Sequence, residues 1–334
     1  MQKQHTPAEY DTRILDCTTP DSESARAAID NAAALLRNSE LVAFPTETVY
    51  GLGACIFNPE QVQRIFAVKQ RPQDNPLIAH IADKEQIELI ARDIPDSVVA
   101  LTDSFFPGAL TLVLKKHPGV PSVVSAGLDS IALRMPDHPV ARALIRASGE
   151  PLVAPSANTS GRPSPTSASA VYDDLHGKIP LILDGGNCRI GLESTVLSML
   201  EKPPRILRYG SITKEQIEDV LRSTVLLPNG NDAHHSPGTR HKHYSPNAAV
   251  ILVESDADVD EYIKQHGNHS IRVFRYNTAP PDTLSVSFSA STYYAMLRQA
   301  DSDGMTLIIL CVSDALRANV ALYDRVLRTA GKTG

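Results

Sequence analysis

The sequence predicts an α/β protein: a twisted mixed sheet covered by helices, followed by a smaller open α/β domain. Three observations support this fold class. Short apolar runs of strand length alternate with helix-like segments along most of the 334 residues. Hairpin-like spacings, such as that of 195–208, indicate that some neighbouring strands are antiparallel. A segment rich in Pro, Gly, Asn, Asp, Ser and His at 228–247 interrupts the alternation, which resumes beyond it.

Local signals mark the element boundaries in the first part of the chain. Asn58 before Pro59 predicts a helix start, because the asparagine caps the first turn and proline has no N–H to satisfy there. Lys69 is expected near the end of this helix, because Pro72 prevents its continuation. Further helices are expected over 25–37 and 139–148, and two more are expected to start at the capping-box pairs Asp83/Gln86 and Thr213/Gln216. Strands are expected over 41–44, 77–81, 110–114, 131–133, 151–154 and 179–183.

The alternation after the polar segment predicts a second, smaller unit. Its expected strands are 249–253, 271–274 and 306–312, and its expected helices are 257–265, 291–300 and 315–329. The sequence therefore predicts a first domain at 1–227, a linker at 228–247 and a small C-terminal α/β domain at 248–334.

Composition excludes several classes of protein. A net charge of −6 argues against broad, sequence-blind nucleic-acid binding, and 42% hydrophobic residues argue against wholesale disorder. No apolar stretch is long enough to span a bilayer, and the first residues lack the apolar core of a secretion signal. The expected location is therefore the cytoplasm. Reduced thiols are expected for the four cysteines, which show no paired spacing: Cys17, Cys55, Cys188 and Cys311.

The segment Pro45–Gly53 (Pro-Thr-Glu-Thr-Val-Tyr-Gly-Leu-Gly) follows an apolar run and replaces large apolar residues with hydroxyls and glycines. Hydroxyls donate hydrogen bonds, and glycines allow a ligand to approach the backbone. Lys69 and Arg71 lie one residue apart at the expected helix end, where both can converge on one ligand. This combination suits a small anionic substrate, although cations are also favourable at a solvated helix end.

Other polar segments follow apolar runs in the same way. The loop 154–164 offers hydroxyls, amides and a glycine suited to phosphate oxygens and a ribose, without the glycine and lysine spacing of a P-loop. Arg134 and Arg208 each close a strand-like run, and an arginine there can bind a carboxylate in fork geometry. Taken alone, these segments also fit a polar turn or an exposed salt bridge.

Metal sites and covalent catalysis find little support in the sequence. His80 lies inside an apolar strand, where a lone histidine is more often a hydrogen-bonded core residue than a ligand contact. The histidines at 234, 235, 241 and 243 are irregularly spaced without accompanying cysteines or acids, so no metal site is expected. The sequence has no recognisable nucleophile–base signature, which favours a site that positions its ligands electrostatically.

In their order along the chain, these segments resemble the threonylcarbamoyl-AMP synthase family in its long, two-domain form. The resemblance covers almost the whole chain, and while each motif is weak evidence alone, the ordered set is highly specific. It implies a YrdC-like mixed sheet in the first domain and a Rossmann-like open α/β domain at the C-terminus. The residues behind it are Pro45–Gly53, Lys69, Arg71, Pro72, Asn75–Leu77, Arg134–Pro136, Pro155–Asn158, Glu193–Val196, Ser236–Gly238 and His243–Pro246.

The resemblance implies an enzyme, a nucleotidyltransferase. L-Threonine and bicarbonate form a carbamate that attacks the α-phosphate of ATP, which gives threonylcarbamoyl-AMP and pyrophosphate. The product is then expected to pass to a tRNA threonylcarbamoyltransferase, which modifies an adenosine beside the anticodon, without stable nucleic-acid binding by this chain. Mg²⁺ is expected to accompany ATP, and no prosthetic group is expected.

The resemblance also implies roles for individual residues. Lys69 and Arg71 are expected to be catalytic, because they would lower the repulsion between carbamate and triphosphate. The linker is expected to fold over the cleft as a lid. The expected L-threonine ligands are Thr48, His80, Arg134 and Ser194, with Arg134 on the carboxylate. The expected ATP ligands are Arg71, Asn75, Ser130, Ser156, Asn158, Ser164, Arg208 and Tyr244.

Two alternatives belong to other classes of protein. Hydrogenase-maturation proteins use a similar domain to make carbamoyl-adenylate from carbamoyl phosphate, but they usually carry zinc-finger and acylphosphatase-like segments that this sequence does not show. The other alternative is an RNA-binding module without catalysis. The acidic net charge and the absence of tryptophan weigh against it, because base stacking would have few aromatic surfaces.

Overall fold

The computed structural model describes residues 10–229, 244–266, 270–278 and 282–331, so most of the predicted linker lies outside the described residues. The helices are α1 (Glu23–Arg37), α2 (Pro59–Lys69), α3 (Ile87–Ile90), α4 (Ser97–Phe105), α5 (Pro139–Ser148), α6 (Ala168–Leu175), α7 (Lys214–Leu221), α8 (Asp256–His266), α9 (Tyr293–Ser302), α10 (Asp314–Ala318) and α11 (Val320–Thr329), with a 3₁₀ turn at Lys84–Gln86. The strands are β1 (Arg13–Asp16), β2 (Val42–Phe44), β3 (Gly51–Cys55), β4 (Ile78–His80), β5 (Ala91–Arg92), β6 (Leu110–Lys116), β7 (Ser130–Arg134), β8 (Leu152–Val153), β9 (Leu181–Asp184), β10 (Thr195–Ser198), β11 (Arg205–Arg208), β12 (Ala249–Val253), β13 (Ile271–Tyr276), β14 (Ser285–Phe288) and β15 (Leu307–Cys311).

Strands β1–β11 form one large mixed sheet, and this part of the chain is called the larger unit below. Its strand order is β1-β9-β2-β3-β8-β4-β7-β6-β10-β11, with β5 beside β6. β4 and β7 run parallel in a register that pairs His80 with Arg134, whereas β8 is antiparallel to both β3 and β4. The mixture of parallel and antiparallel pairs confirms the predicted fold class.

Helices cover both faces of the large sheet. On one face α1 and α5 pack together and bury Ile29 and Leu144; on the other α2, α4 and α7 bury Ile65, Leu101 and Ile217. Full burial of each such side chain contributes about 1.5–3 kcal/mol, so these two apolar layers hold the sheet in place. None of the helices in the described ranges has both the length and the apolar character needed to cross a bilayer.

The smaller unit, formed by β12–β15 and α8–α11, is an open parallel sheet with strand order β12-β15-β13-β14. This arrangement confirms the predicted small open α/β unit. Its main apolar cluster continues into the larger unit, because Val49 and Leu192 are buried together with Tyr294 and Leu322. The two sheets are therefore joined by a shared apolar contact.

Predicted helix ends agree with the observed ones where a local signal exists. The side chain of Asn58 accepts a hydrogen bond from the Gln61 N–H, and Gly149 ends α5 with a φ of +88°. Thr213 and Gln216 form the predicted capping box of α7.

Several elements differ from the sequence-based expectation. β3 was not expected as a strand, because its glycines were interpreted as allowing a ligand to approach the backbone. All its residues are buried, and a Cβ on Gly53 would lie 2.8 Å from the Phe44 ring. The predicted helix 315–329 is divided into α10 and α11, because Asn319 leaves the helical conformation and caps α11 by accepting from the Leu322 N–H. β1, β5, β14, α4 and α6 were also not expected.

Replacement of Gly191 by alanine is expected to lower the free energy of unfolding by about 1–3 kcal/mol. Gly191 has a φ of +74°, and a Cβ there would lie 2.5 Å from the Cα of Ser291, so the contact between the two units must loosen. Urea unfolding followed by circular dichroism measures the change. Gly119→Ala is the matched control, because the atoms nearest to its added Cβ belong to the exposed side chain of His117. Equal unfolding free energies for the two variants would contradict the prediction.

Candidate active site

A cleft of about 760 Å³, including the space open to solvent, lies against one face of the large sheet. Ile78 and His80 both line it, and alternate residues of a strand point to the same face, so β4 forms part of its floor. The cleft thus crosses the sheet face as well as reaching the strand ends. The structure brings eleven of the predicted site residues to its walls: Thr48, Lys69, Arg71, His80, Arg134, Ser156, Asn158, Ser164, Ser194, Arg208 and Tyr244.

Two predicted site residues lie behind the cleft wall. Asn75 is fully buried beside Arg71, and neither atom of its side-chain amide has a hydrogen-bond partner among the described residues. Ser130 begins β7 and is buried four residues before Arg134. In the structure as described, neither residue lines the cleft.

Lys69 ties the end of α2 to the loop that follows β8. The helix stops at Gln70, which adopts a left-handed conformation with a φ of +54°. The Nζ of Lys69 donates to the carbonyl of Ser156 at 2.5 Å and to the carbonyl of Asn158. Burial, together with the nearby charge of Arg71, holds the pKa of Lys69 well below the usual 10.5. The ammonium is therefore anchored by neutral carbonyl groups inside the protein.

Two arginines extend the cationic wall. Arg71 donates through Nη2 to the carbonyl of Pro76 at 3.1 Å, and its buried Nε has no partner in the described part of the chain. Burial lowers the pKa of Arg71 to about 10. Arg208 donates through Nε and Nη2 to the carbonyl of Ser194, at 3.1 and 3.0 Å. Carbonyl oxygens hold these guanidinium groups in place, and the positive charge of the wall makes it suited to anions.

His80 and Glu47 orient Arg134 at the other end of the cleft. The Nε of Arg134 donates to His80 Nε2 at 3.1 Å, and Nη1 faces Glu47 Oε1 at 3.4 Å. His80 Nδ1 lies 3.1 Å from the carbonyl of Ile78, to which it donates in the neutral tautomer. Nη2 of Arg134 has no hydrogen-bond partner among the described residues, and it is the group that can bind a carboxylate.

Hydroxyl groups complete this end of the cleft. Thr46 Oγ1 donates to the carbonyl of Val49 at 2.7 Å and lies 2.9 Å from Thr48 Oγ1, which fixes the turn after β2. Ser194 Oγ lies 2.7 Å from Thr111 Oγ1 and 3.2 Å from Arg208 Nη2. The hydroxyls of Thr48 and Ser194 are thus held by neighbours at the cleft wall.

The loop after β8 carries the remaining polar wall. Ser156 Oγ donates to Asn158 Oδ1 at 2.6 Å, and Asn158 Nδ2 donates to the carbonyl of Arg162 at 2.9 Å. Ser164 Oγ donates to Glu193 Oε1 at 2.7 Å. These bonds fold the loop onto itself and present its hydroxyls to the cleft.

Glu193, Arg162 and Glu47 were not predicted as site residues from the sequence. Glu193 and Arg162 line the cleft, and Glu47 faces Arg134. All three lie inside motifs that were recognised. A carboxylate is not expected at an anion site unless a cation balances it. The arginines that balance Glu47 and Glu193 are distant in sequence, so the sequence did not indicate these two residues.

Tyr244 is the first described residue after the gap at 230–243, and it is buried. Its ring stacks on that of Tyr294, with centroids 5.2 Å apart, and the guanidinium carbon of Arg325 lies 5.7 Å from the ring centroid. The linker residue that lines the cleft therefore packs on the smaller unit. The predicted lid and the histidines at 234, 235, 241 and 243 lie outside the described residues.

Comparison with known proteins assigns the chain to a family. Residues 34–210 match the family model described as telomere recombination, and residues 212–331 match that of the threonylcarbamoyl-AMP synthase C-terminal domain. The threonylcarbamoyl-AMP synthase of Pyrococcus abyssi is 41% identical over 316 residues, which cover 90% of this chain and 93% of the relative. The chain belongs to the threonylcarbamoyl-AMP synthase family. The threonylcarbamoyl-AMP synthase of Bacillus subtilis is 42% identical, and the matched region covers 91% of this chain and 93% of the relative.

A solved structure of this family shares the whole architecture. The crystal structure of P. abyssi Sua5 complexed with L-threonine has a TM-score of 0.85 and 38% identity, with 96% of this chain and 97% of that chain covered. The similarity extends over both units of the threonylcarbamoyl-AMP synthase fold. The family assignment made from the ordered motifs is therefore confirmed.

His80 is expected to stay neutral, protonated on Nδ1, as the pH falls through 6.5 in the folded protein. Burial and the charge of Arg134 hold its pKa well below 6.5. Because the unfolded chain binds this proton more readily, the contribution of His80 to the unfolding free energy falls as the pH drops below about 6.5.

Nitrogen-15 chemical shifts of the imidazole, recorded against pH, test this expectation. In Arg134→Met the pKa of His80 should rise, because the nearby positive charge has been removed while burial remains. A titration of His80 near pH 6.5 in the folded wild-type protein would contradict the expectation.

Proposed function

We propose that this threonylcarbamoyl-AMP synthase joins L-threonine, bicarbonate and ATP through a carbamate intermediate in the one cleft described above. The observation that carries the mechanism is the placement of Lys69, Arg71 and Arg208 on the same cleft as Arg134. The relatives named threonylcarbamoyl-AMP synthase support the reaction, and the P. abyssi structure with L-threonine supports an amino acid in this cleft. Transfer of the adenylyl group makes the enzyme a nucleotidyltransferase.

The chemistry requires little from the protein beyond position and charge. The amino group of L-threonine combines with bicarbonate to form a carbamate and water. A carbamate oxygen then attacks the α-phosphorus of ATP, and the bond from that phosphorus to the bridging oxygen breaks as pyrophosphate leaves. Both reactants are anions, so Lys69 and Arg71 lower the repulsion between them as they approach.

The threonine end of the cleft lies around Arg134. Its Nη2, which has no hydrogen-bond partner in the described ranges, is assigned to the threonine carboxylate, and His80 keeps the guanidinium in that orientation. The hydroxyls of Thr48 and Ser194 are assigned to the polar groups of the amino acid. Because the His80 imidazole is neutral, it adds no charge to this end.

The nucleotide end lies between α2, the loop after β8 and the end of β11. Arg71 and Arg208 are assigned to the phosphates, and Tyr244 covers the nucleotide from the linker. Asn75 is buried and does not line the cleft, and its side-chain amide has no hydrogen-bond partner among the described residues. The amide would gain partners if the Arg71 turn shifts on binding. The other nucleotide ligands in this proposal are Ser130, Ser156, Asn158 and Ser164.

Mg²⁺ is proposed to arrive on ATP. Within the described residues, no three His, Cys, Asp or Glu side chains form a group that could hold a metal ion. The nearby carboxylates are already paired with arginines: Glu47 pairs with Arg134, and Glu193 pairs with Arg325. Phosphate oxygens and water suit the ion better, because Mg²⁺ retains much of its hydration in nucleotide sites. When bound, it would partly neutralise the triphosphate.

The product is a mixed anhydride that a second enzyme must consume. We propose that a tRNA threonylcarbamoyltransferase accepts it in the cytoplasm. The four cysteines are unpaired, as expected for a reducing compartment.

Purified protein is expected to release pyrophosphate only when ATP, L-threonine and bicarbonate are all present. Lys69→Met should lower kcat by about 10²–10³-fold, because a charge next to the reacting anions is removed. Lys84→Met, at a partly exposed lysine that pairs with Asp103, should behave as wild type. Release without L-threonine would favour the carbamoyl-phosphate alternative, and tRNA retention without release would favour the RNA-binding module.

Arg134→Met is expected to raise the KM for L-threonine by about 10²-fold and that for ATP by less than about threefold, because it removes a charge-assisted bond to one substrate. Initial rates at varied L-threonine measure the change. Arg146→Met is the matched control, because that guanidinium pairs with Asp83 at the surface. Equal increases in both KM values would remove Arg134 from the proposed carboxylate site.

A further inference from the structure

Two arginines of the smaller unit reach the wall of the cleft in the larger unit. Arg325 on α11 has no exposed surface; its Nε donates to Glu193 Oε2 at 3.0 Å and its Nη2 to the carbonyl of Tyr209 at 2.8 Å. Arg298 on α9 donates through Nε to the carbonyl of Pro163 at 3.1 Å and pairs with Asp174 at 2.9 Å. Both bind residues in or directly behind the nucleotide end.

Glu193 presents an electrostatic difficulty for an anion site. It lines the cleft, and an uncompensated carboxylate there would repel a triphosphate. Although burial raises the pKa of Glu193, the cations Arg325 and Arg208 and a hydrogen bond from Ser164 lower it to about 2. The carboxylate is therefore ionised at neutral pH, and its charge must be balanced.

The bonds to Glu193 divide between the two units. Oε1 accepts from Ser164, whose hydroxyl lines the cleft, whereas Oε2 accepts from Arg325 and, at 2.9 Å, from the phenol of Tyr294. Arg325 also contacts Asp324 at 2.6 Å, but Asp324 is paired with Arg328 as well. One positive charge of the smaller unit is thus available to balance Glu193.

We propose that Arg325 is a positioning residue for nucleotide binding: it neutralises Glu193 and, through that carboxylate, holds Ser164 at the cleft wall. The smaller unit in this way contributes charge balance to a cleft whose described lining residues, apart from Tyr244, belong to the larger unit. The inference rests on the proposed function, because the anionic nucleotide is the ligand that requires this balance.

The test compares Arg325→Met with Arg325→Met/Glu193→Gln in the full-length protein. The single variant should raise the KM for ATP, and the Kd of ATP measured by calorimetry, by about tenfold or more, because a buried carboxylate is left unpaired. The KM for L-threonine should change less than about twofold, since Arg134 carries that contact. The double variant should return the ATP constants to within about threefold of wild type, because the unbalanced charge is gone.

Two further variants keep the test decisive. Arg317→Met removes an exposed arginine of the same unit, which pairs with Glu254, and should bind ATP as wild type does. Tyr294→Phe removes only the phenol donor to Glu193 and should weaken ATP binding about two- to fivefold. If Arg325→Met does not fold, the Tyr294→Phe variant tests the inference in its place. ATP binding by Tyr294→Phe that equals that of the wild type would overturn the inference.

A merely structural role for Arg325 predicts a different outcome. Both KM values would then rise together, and the added Glu193→Gln would bring no recovery; either result overturns the proposal. Failure of the proposed function can be distinguished from failure of this inference. In the first case the wild-type protein would release no pyrophosphate, but calorimetry would still compare ATP binding among the variants.

Discussion

Two anions have to be brought into contact, and the cations that permit this must stay charged inside the protein. Lys69 is fully buried, and burial disfavours its charged form. The chain meets this constraint with main-chain carbonyls: those of Ser156 and Asn158 hold Lys69, and that of Ser194 holds Arg208. A carbonyl dipole stabilises a cation without removing its charge, so the attraction for a ligand is retained.

This solution also determines which parts of the fold must be close together. Lys69 can reach the carbonyl groups of both Ser156 and Asn158 only if α2 ends close to the end of β8. The bridge between Gly51 and Ser156 and the main-chain bond from Ser160 to Lys69 bring these segments together. Short strands fit this arrangement, and a Cβ on Gly51 in β3 would lie 3.1 Å from the Cβ of Ala154, which directly follows β8.

Local sequence signals were sufficient for much of the fold and for most of the candidate site. His80 and Arg134 follow apolar runs directly. The start of α2 is set by the Asn58 side chain, and the end of α5 is set by the left-handed backbone of Gly149. What the sequence did not predict depends on partners distant in the chain. Glu193 and Arg325 are 132 residues apart, and no local pattern connects them. β3 was not predicted as a strand, because its glycines make room for the Phe44 ring, and this is a tertiary contact that no local pattern shows.

The apolar contact between the two units has a consequence for the history of the fold. Val49 follows Thr48 directly, and it is buried in the same cluster as helices of the smaller unit. In a protein composed of the larger unit alone, Val49 and Leu192 would face water. Gain or loss of the second sheet would therefore change the exposure of two apolar side chains that directly neighbour the cleft residues Thr48 and Glu193.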